Sequence, residues 1–340
     1  MTVRQIRCMR SLGGLIAGAA LCSLALVGPA DAESYVTFDP LGSVNTFADS
    51  INDQGDVAGL YLDGVHIYAF IRKAGGTIIE FGAPTAASHT EAHGINNLGT
   101  VTGWFADKRT HEHSFVRDSS GGFTLFDYST SFATEAIAIN DAGIIAGKYR
   151  TKKGHWHGFV RAANGTIASF DPKGSADTYV TGINANGVIT GFVYLKTDGH
   201  CCAHGFVRSA SGAITKVNQP GASETFVHGI NVNNALAGIF DDTGSHGFVR
   251  ASDGTMTPFD VRNATNTLAF GINDKGAVAG TYTIGSPSVA HGFVRNASGK
   301  ITAFDPPGST ATSPQAINNL GVVGGFYSSG SQNHGFLRTP

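Results

Sequence analysis

The chain has 340 residues, 23 of them basic and 25 acidic, and a formal charge of −2. No cluster of Lys and Arg stands out, which excludes the electrostatic footprint of a nucleic-acid-binding protein. Four cysteines in this length exclude a disulfide scaffold, so a hydrophobic core must supply stability.

At the amino terminus Arg4, Arg7 and Arg10 precede an apolar, glycine-rich run that ends in Ala30-Asp31-Ala32. This pattern predicts a secretory signal peptide over residues 1–32 and a single exported domain over residues 33–340, secreted or periplasmic. That domain carries a formal charge of −4 and only two cysteines, Cys201 and Cys202. No later stretch is long and apolar enough to span a bilayer.

Residues 35–39, "YVTFD", read as a short strand, and a repeat then takes over the chain. The dipeptide Ile-Asn or its equivalent recurs at Asn52, Asn96, Asn140, Asn184, Asn231, Asn273 and Asn318, at spacings of 44, 44, 44, 47, 42 and 45 residues. Each copy holds a strand ending in "GIN", a glycine turn, a strand of the type "AVAGTY", a strand "HGFVR", and a strand ending in "FD". The runs are short, rich in β-branched and aromatic residues, and bounded by Gly, Asn, Asp and Pro. Four strands per period of about 44 residues predict the blade of a β-propeller.

The expected fold is therefore all-β, a seven-bladed propeller of four-stranded blades. The lone "YVTFD" strand is expected to complete the last blade, which otherwise ends at "HGFLRTP" without a fourth strand. The small residues of the "GIN" strand place it innermost; a frame with the "HGFVR" strand innermost is the alternative.

The sequences "GINDKGAVAGTY", "HGFVR" and "FDPPGST" resemble the HAF repeat family of extracellular repeat proteins, with "HGF" mostly in place of "HAF". The resemblance covers the whole exported domain. It implies an exported repeat protein and supplies no biochemical activity, because fold does not deliver function.

Repetition separates frame from site. Thr46, Thr90, Thr134, Thr178, Thr225, Thr267 and Thr312 occupy one position in all seven copies and read as structural hydrogen-bonding groups. His157, His204, His246, His291 and His334 read likewise, and the arginines of "HGFVR" and aspartates of "FD" are expected to stitch blades together. Polar residues that do not repeat point to a ligand site. One residue beyond the repeated threonine stand Phe47, Glu91, Glu135, Tyr179, Phe226, Leu268 and Ser313. Three beyond it stand Asp49, His93, Ile137, Thr181, His228, Phe270 and Gln315. Both sets are expected beside the channel mouth, where unselected variation at a solvated rim is the competing explanation. Cys201 and Cys202 lie in an enlarged loop of the fourth copy; neighbouring cysteines fit a zinc site poorly and, in an exported protein, suggest a strained disulfide.

Two function classes remain. In the first, a monomeric propeller binds a glycan, cell-wall polymer or partner protein, with Phe47, Asp49, Tyr179, Phe226 and His228 at the binding face. In the second, the protein is a polysaccharide-active enzyme. A lyase would use His228 and Tyr179 as base and acid with His93 assisting; a hydrolase would use Glu91 and Glu135. No cofactor is expected, and the pattern assigns no metal.

Overall fold

The computed structural model describes residues 33–129, 131–199 and 201–340. The expected signal peptide and His200 lie outside the described residues. The unit Glu33–Pro340 contains twenty-eight strands and, among the described residues, one 3-10 turn at Lys196–Asp198.

Repeat four shows the plan. Strands Ser175–Ile183, Ile189–Leu195, Ala203–Arg208 and Ile214–Val217 pair antiparallel in chain order. Repeats five and six form the same separate four-stranded sheets. Elsewhere single parallel contacts tie one repeat's third strand to the next repeat's first strand, at Ile67 and His89 and at Glu112 and Ala133. Asn333 and Asn45 make the same contact between the last and first repeats. The hydrogen-bonded sheets are thus open, while the repeats abut. Strand Ser34–Phe38 pairs antiparallel with Gln332–Thr339, Ser34 opposite Thr339 and Phe38 opposite Gly335, and fills the fourth-strand position of the last repeat.

The first strands are innermost. The ends of these strands line one cavity of about 200 Å³, six repeats through their Ile-Asn pair and the fifth through Ile230 and Val232, so the frame with the third strand innermost does not hold. Their asparagines are buried and form a continuous belt, each side-chain amide donating to the backbone carbonyl of the next asparagine. Asn52, Asn96, Asn140, Asn184, Asn231 and Asn273 do so at 2.9–3.1 Å. Asn318 returns to Asn52 at 3.0 Å. Each asparagine Oδ1 also accepts a backbone N–H of its own turn, as Asn52 does from Asp56 and Asn318 from Val322. One side chain therefore satisfies both a turn and a neighbouring repeat.

Between repeats the packing is aromatic. The phenylalanine of every "HGFVR" strand or its variant is fully buried, Phe70, Phe115, Phe159, Phe206, Phe248, Phe293 and Phe336. Burying such a ring contributes about 1.5–3 kcal/mol. Six of these rings meet the "FD" phenylalanine of the preceding repeat at centroid distances of 5.9–6.1 Å, as Phe170 meets Phe206. On the same six phenylalanines lies the following repeat's arginine at 4.8–5.1 Å, as Arg208 lies over Phe170. The seam between repeats four and five lacks the ring because Val217 replaces it.

The repeated polar residues follow the same scheme. Asp171 accepts from Thr178 at 2.6 Å and pairs with His157 Nδ1 at 2.7 Å. Asp39 accepts from Thr46 at 2.6 Å and pairs with His334, 295 residues away, at 2.7 Å. His204 meets Asn218 at 3.1 Å, where "VN" replaces "FD". Close packing also fixes the glycine of the second strand: a Cβ on Gly103 would lie 1.9 Å from the Glu91 carbonyl oxygen.

Candidate functional site

Every first strand carries a β-bulge at one position. Its register against the second strand slips by one residue, and the unpaired residues are Asp49, His93, Ile137, Thr181, His228, Phe270 and Gln315. These are the seven residues three beyond the repeated threonine. A bulge re-aims a side chain out of the sheet's alternation, so the least repeated position of the sequence is the one released from the ladder. The glycine that follows in several copies permits close approach of the inner strands; a Cβ on Gly229 would lie 2.6 Å from the Phe270 carbonyl.

The side chains at the bulge and beside it fall into two arcs. In repeats one and two the side chains are charged and mutually bonded. His93 Nδ1 lies 3.2 Å from Asp49 Oδ2, and His93 Nε2 lies 3.0 Å from Glu91 Oε2. Glu91 Oε1 takes His89 Nε2 at 2.7 Å. Burial disfavours the charge on His93, but the bonds to Asp49 and Glu91 outweigh it and raise its pKa to about 10. Burial likewise works against the Glu91 carboxylate, and His89 and His93 prevail and hold it at about 2. Trp104 Nε1 lies 3.0 Å from His93 Nε2, so that nitrogen either donates to Glu91 when protonated or accepts from the indole when neutral.

In repeat three Glu135 pairs with Lys148 Nζ at 3.1 Å, and the ammonium lies over the rings of Trp156 and Tyr179 at 4.5 and 5.1 Å. From there the side chains are aromatic. Tyr179 stacks on Phe192 at 5.0 Å and meets Tyr194 edge-on. Phe192 touches Phe226, Phe226 lies beside His228, and His228 meets Phe270 edge-on at 5.3 Å. Burial lowers the His228 pKa to about 4, which leaves a neutral imidazole. It also raises that of Tyr179, with Asp177 adding to the effect, and the phenol stays protonated.

The expected residues are thus brought together selectively. Asp49, Glu91 and His93 form one network, and Tyr179, Phe226 and His228 lie along one aromatic arc. Tyr179 reaches His228 through Phe192 and Phe226. Glu91 and Glu135 each belong to a separate ion-paired group, and Phe47 packs edge-on against Phe326 at 4.8 Å. Cys201 and Cys202 Sγ atoms lie 2.9 Å apart in the loop between the second and third strands of repeat four.

Sequence reasoning missed Trp104, Lys148, Phe192 and Phe326. They stand directly opposite Glu91, Glu135, Tyr179 and Ser313 on the second strands. The available signal was the variable residue immediately after the repeated second-strand glycine, at 60, 104, 148, 192, 239, 281 and 326. It also missed Glu112, at the start of a third strand, whose carboxyl meets that of Glu135.

No family model matches the sequence, and no curated protein matches it. The fold does recur in solved structures. The chain is similar to a streptogramin B lyase at 15% identity and TM-score 0.59, covering 91% of this chain and 98% of the other. Virginiamycin B lyase from Staphylococcus aureus aligns at 13% identity and TM-score 0.61, over 91% and 99%. The β-propeller domain of the Trilobed protease from Pyrococcus furiosus aligns at 8% identity and TM-score 0.57, over 87% and 96%. Identities this low establish a propeller-like fold alone. Among the described residues no helix is long and apolar enough to cross a membrane.

Proposed function

We propose that the chain is an exported, closed seven-bladed propeller of the HAF repeat type that binds a glycan across the mouth at the start of its inner strands. The observation that carries this reading is the aromatic arc of Tyr179, Phe192, Phe226, His228 and Phe270, drawn from three successive repeats. Rings arrayed along a concave edge offer stacking faces to successive sugars, and the carboxylates and His93 of the opposite arc offer hydrogen bonds to hydroxyl groups.

The ionisation of Glu91 counts against hydrolysis by the Glu91 and Glu135 pair. Glycoside hydrolysis needs one carboxylic acid that arrives protonated. Glu91 is held ionised by two histidines, and Glu135 is ion-paired with Lys148. His93, already protonated between two carboxylates, has no room for another proton. His228 is neutral, and this observation supports a second reading, an elimination with His228 as base. The solved lyases of this fold lend that reading their architecture.

A polysaccharide array distinguishes the two. Binding predicts retention of the purified exported protein on one glycan class with no new unsaturated or reducing ends. New ends would replace binding by catalysis, and retention on no glycan would overturn both.

A further inference from the structure

The seam between repeats four and five is built like the other six but lacks their ring. Val217 pairs with Gly205 in the register in which Phe170 pairs with Gly158. Arg250 stands where the stacked arginines stand: a Cβ on Gly254 of its turn would lie 3.2 Å from Arg250 Nη2, and one on Gly212 would lie 3.4 Å from Arg208 Nη2. Arg208 covers Phe170 at 4.9 Å, and five further arginines cover phenylalanines in the same way. Beneath Arg250 the chain supplies only the smaller Val217. A cavity of about 420 Å³ opens there, with Val217, Arg250, Lys216, Asn218 and Met256 in its wall. That volume falls within the ~300–1,000 Å³ of small-molecule pockets. Val227 of the next repeat packs over Gly205 but lies outside the wall, so it does not fill the space. The wall carries two cationic side chains and no carboxylate. Asp253, beside it in the turn, accepts the Thr255 N–H at 2.8 Å. A planar face under a guanidinium, with a second cation at hand, selects a ligand that is both aromatic and anionic.

We propose that this cavity binds a small aromatic carboxylate, its ring under Arg250, where six seams hold phenylalanine, and its carboxylate toward Lys216. The bound ring completes the seam as the protein's own side chain does elsewhere, so occupancy also joins repeats four and five. The site stands apart from the glycan reading. Its residues come from third and fourth strands and the segments that follow them, whereas the aromatic arc comes from first and second strands.

Calorimetric titration with benzoate, phenylacetate and phenylpropionate tests this, with the cyclohexyl analogue and the uncharged alcohol of each as controls. At least one aromatic acid should bind, and its two controls should bind about fivefold or more weakly, the first for want of the ring and the second for want of the charge. Val217→Phe restores the ring of the other seams and should abolish binding in a folded protein. Val180 already packs with Phe170 in the preceding seam, so the equivalent Val227 leaves room for it. Should Val217→Phe disturb folding, Arg250→Ala decides the matter and should weaken binding by about fivefold or more. Failure of all three acids to bind at about 10 mM would overturn the site. So would controls that bind as well as the acid, or full binding by a folded Val217→Phe or Arg250→Ala variant.

Discussion

The side-chain amide of Asn318 donates to the carbonyl oxygen of Asn52 at 3.0 Å, across 266 residues of sequence. The bond is the same one that Asn140 makes to Asn184, 44 residues on. Asn318→Ala and Asn140→Ala should therefore destabilise equally, by about 1–3 kcal/mol, because each strands a buried carbonyl and a turn N–H. Urea unfolding midpoints check this. A near-silent Asn318→Ala beside a costly Asn140→Ala would mean that the first and last repeats do not close on each other.

The seam between repeats four and five is the weak one. Arg208 lies over Phe170 at 4.9 Å, whereas Arg250 faces the position of Val217. Arg208→Ala should cost about 0.5–1 kcal/mol more than Arg250→Ala, the worth of the cation–π contact. Equal losses in thermal unfolding would remove the arginine–phenylalanine stack from the account of how repeats are joined.

Much of this frame was legible in the sequence, because a residue needed in every repeat appears in every repeat. The threonines bind the "FD" segment, as Thr178 binds Asp171, and the third-strand histidines bind its aspartate, as His157 does. The asparagine was legible only as a landmark; its bond runs to the next repeat, and no local pattern reveals that geometry. Trp104 and Lys148 were hidden for a different reason. They join the site through register with the inner strand, which depends on where the bulge falls. Glu112 was hidden because it belongs to a third strand, and only the approach of repeat three brings Glu135 to it.

The second-strand glycines should tolerate nothing larger. Gly103→Ala places a Cβ 1.9 Å from the Glu91 carbonyl and should cost about 3 kcal/mol or more. Gly75→Ala, with open space around the added atom, should stay within about 0.5 kcal/mol of neutral. Comparable melting temperatures for the two variants would contradict the close pairing of first and second strands.

The charged arc should give stability a pH dependence at both ends. His93 is raised to about 10, so its contribution is complete below its ordinary value near 6.5 and fades as pH rises through 10. Glu91 is lowered to about 2, so its contribution is present above its ordinary value near 4.5 and fades as pH falls through 2. The stability difference between wild type and His93→Gln should accordingly shrink between pH 6.5 and pH 10. A difference that stays constant across that window would dissolve the Asp49–His93–Glu91 network.

The claim that a repeated frame carries a non-repeated binding surface is tested most directly by glycan retention of a folded Tyr179→Ala/Phe226→Ala variant. Both rings pack on Phe192, and their shared repeat position is not aromatic in repeats two, three or seven. The account predicts a melting temperature close to that of wild type and loss of retention on the polysaccharide that wild type binds. Full retention by the folded variant would contradict it.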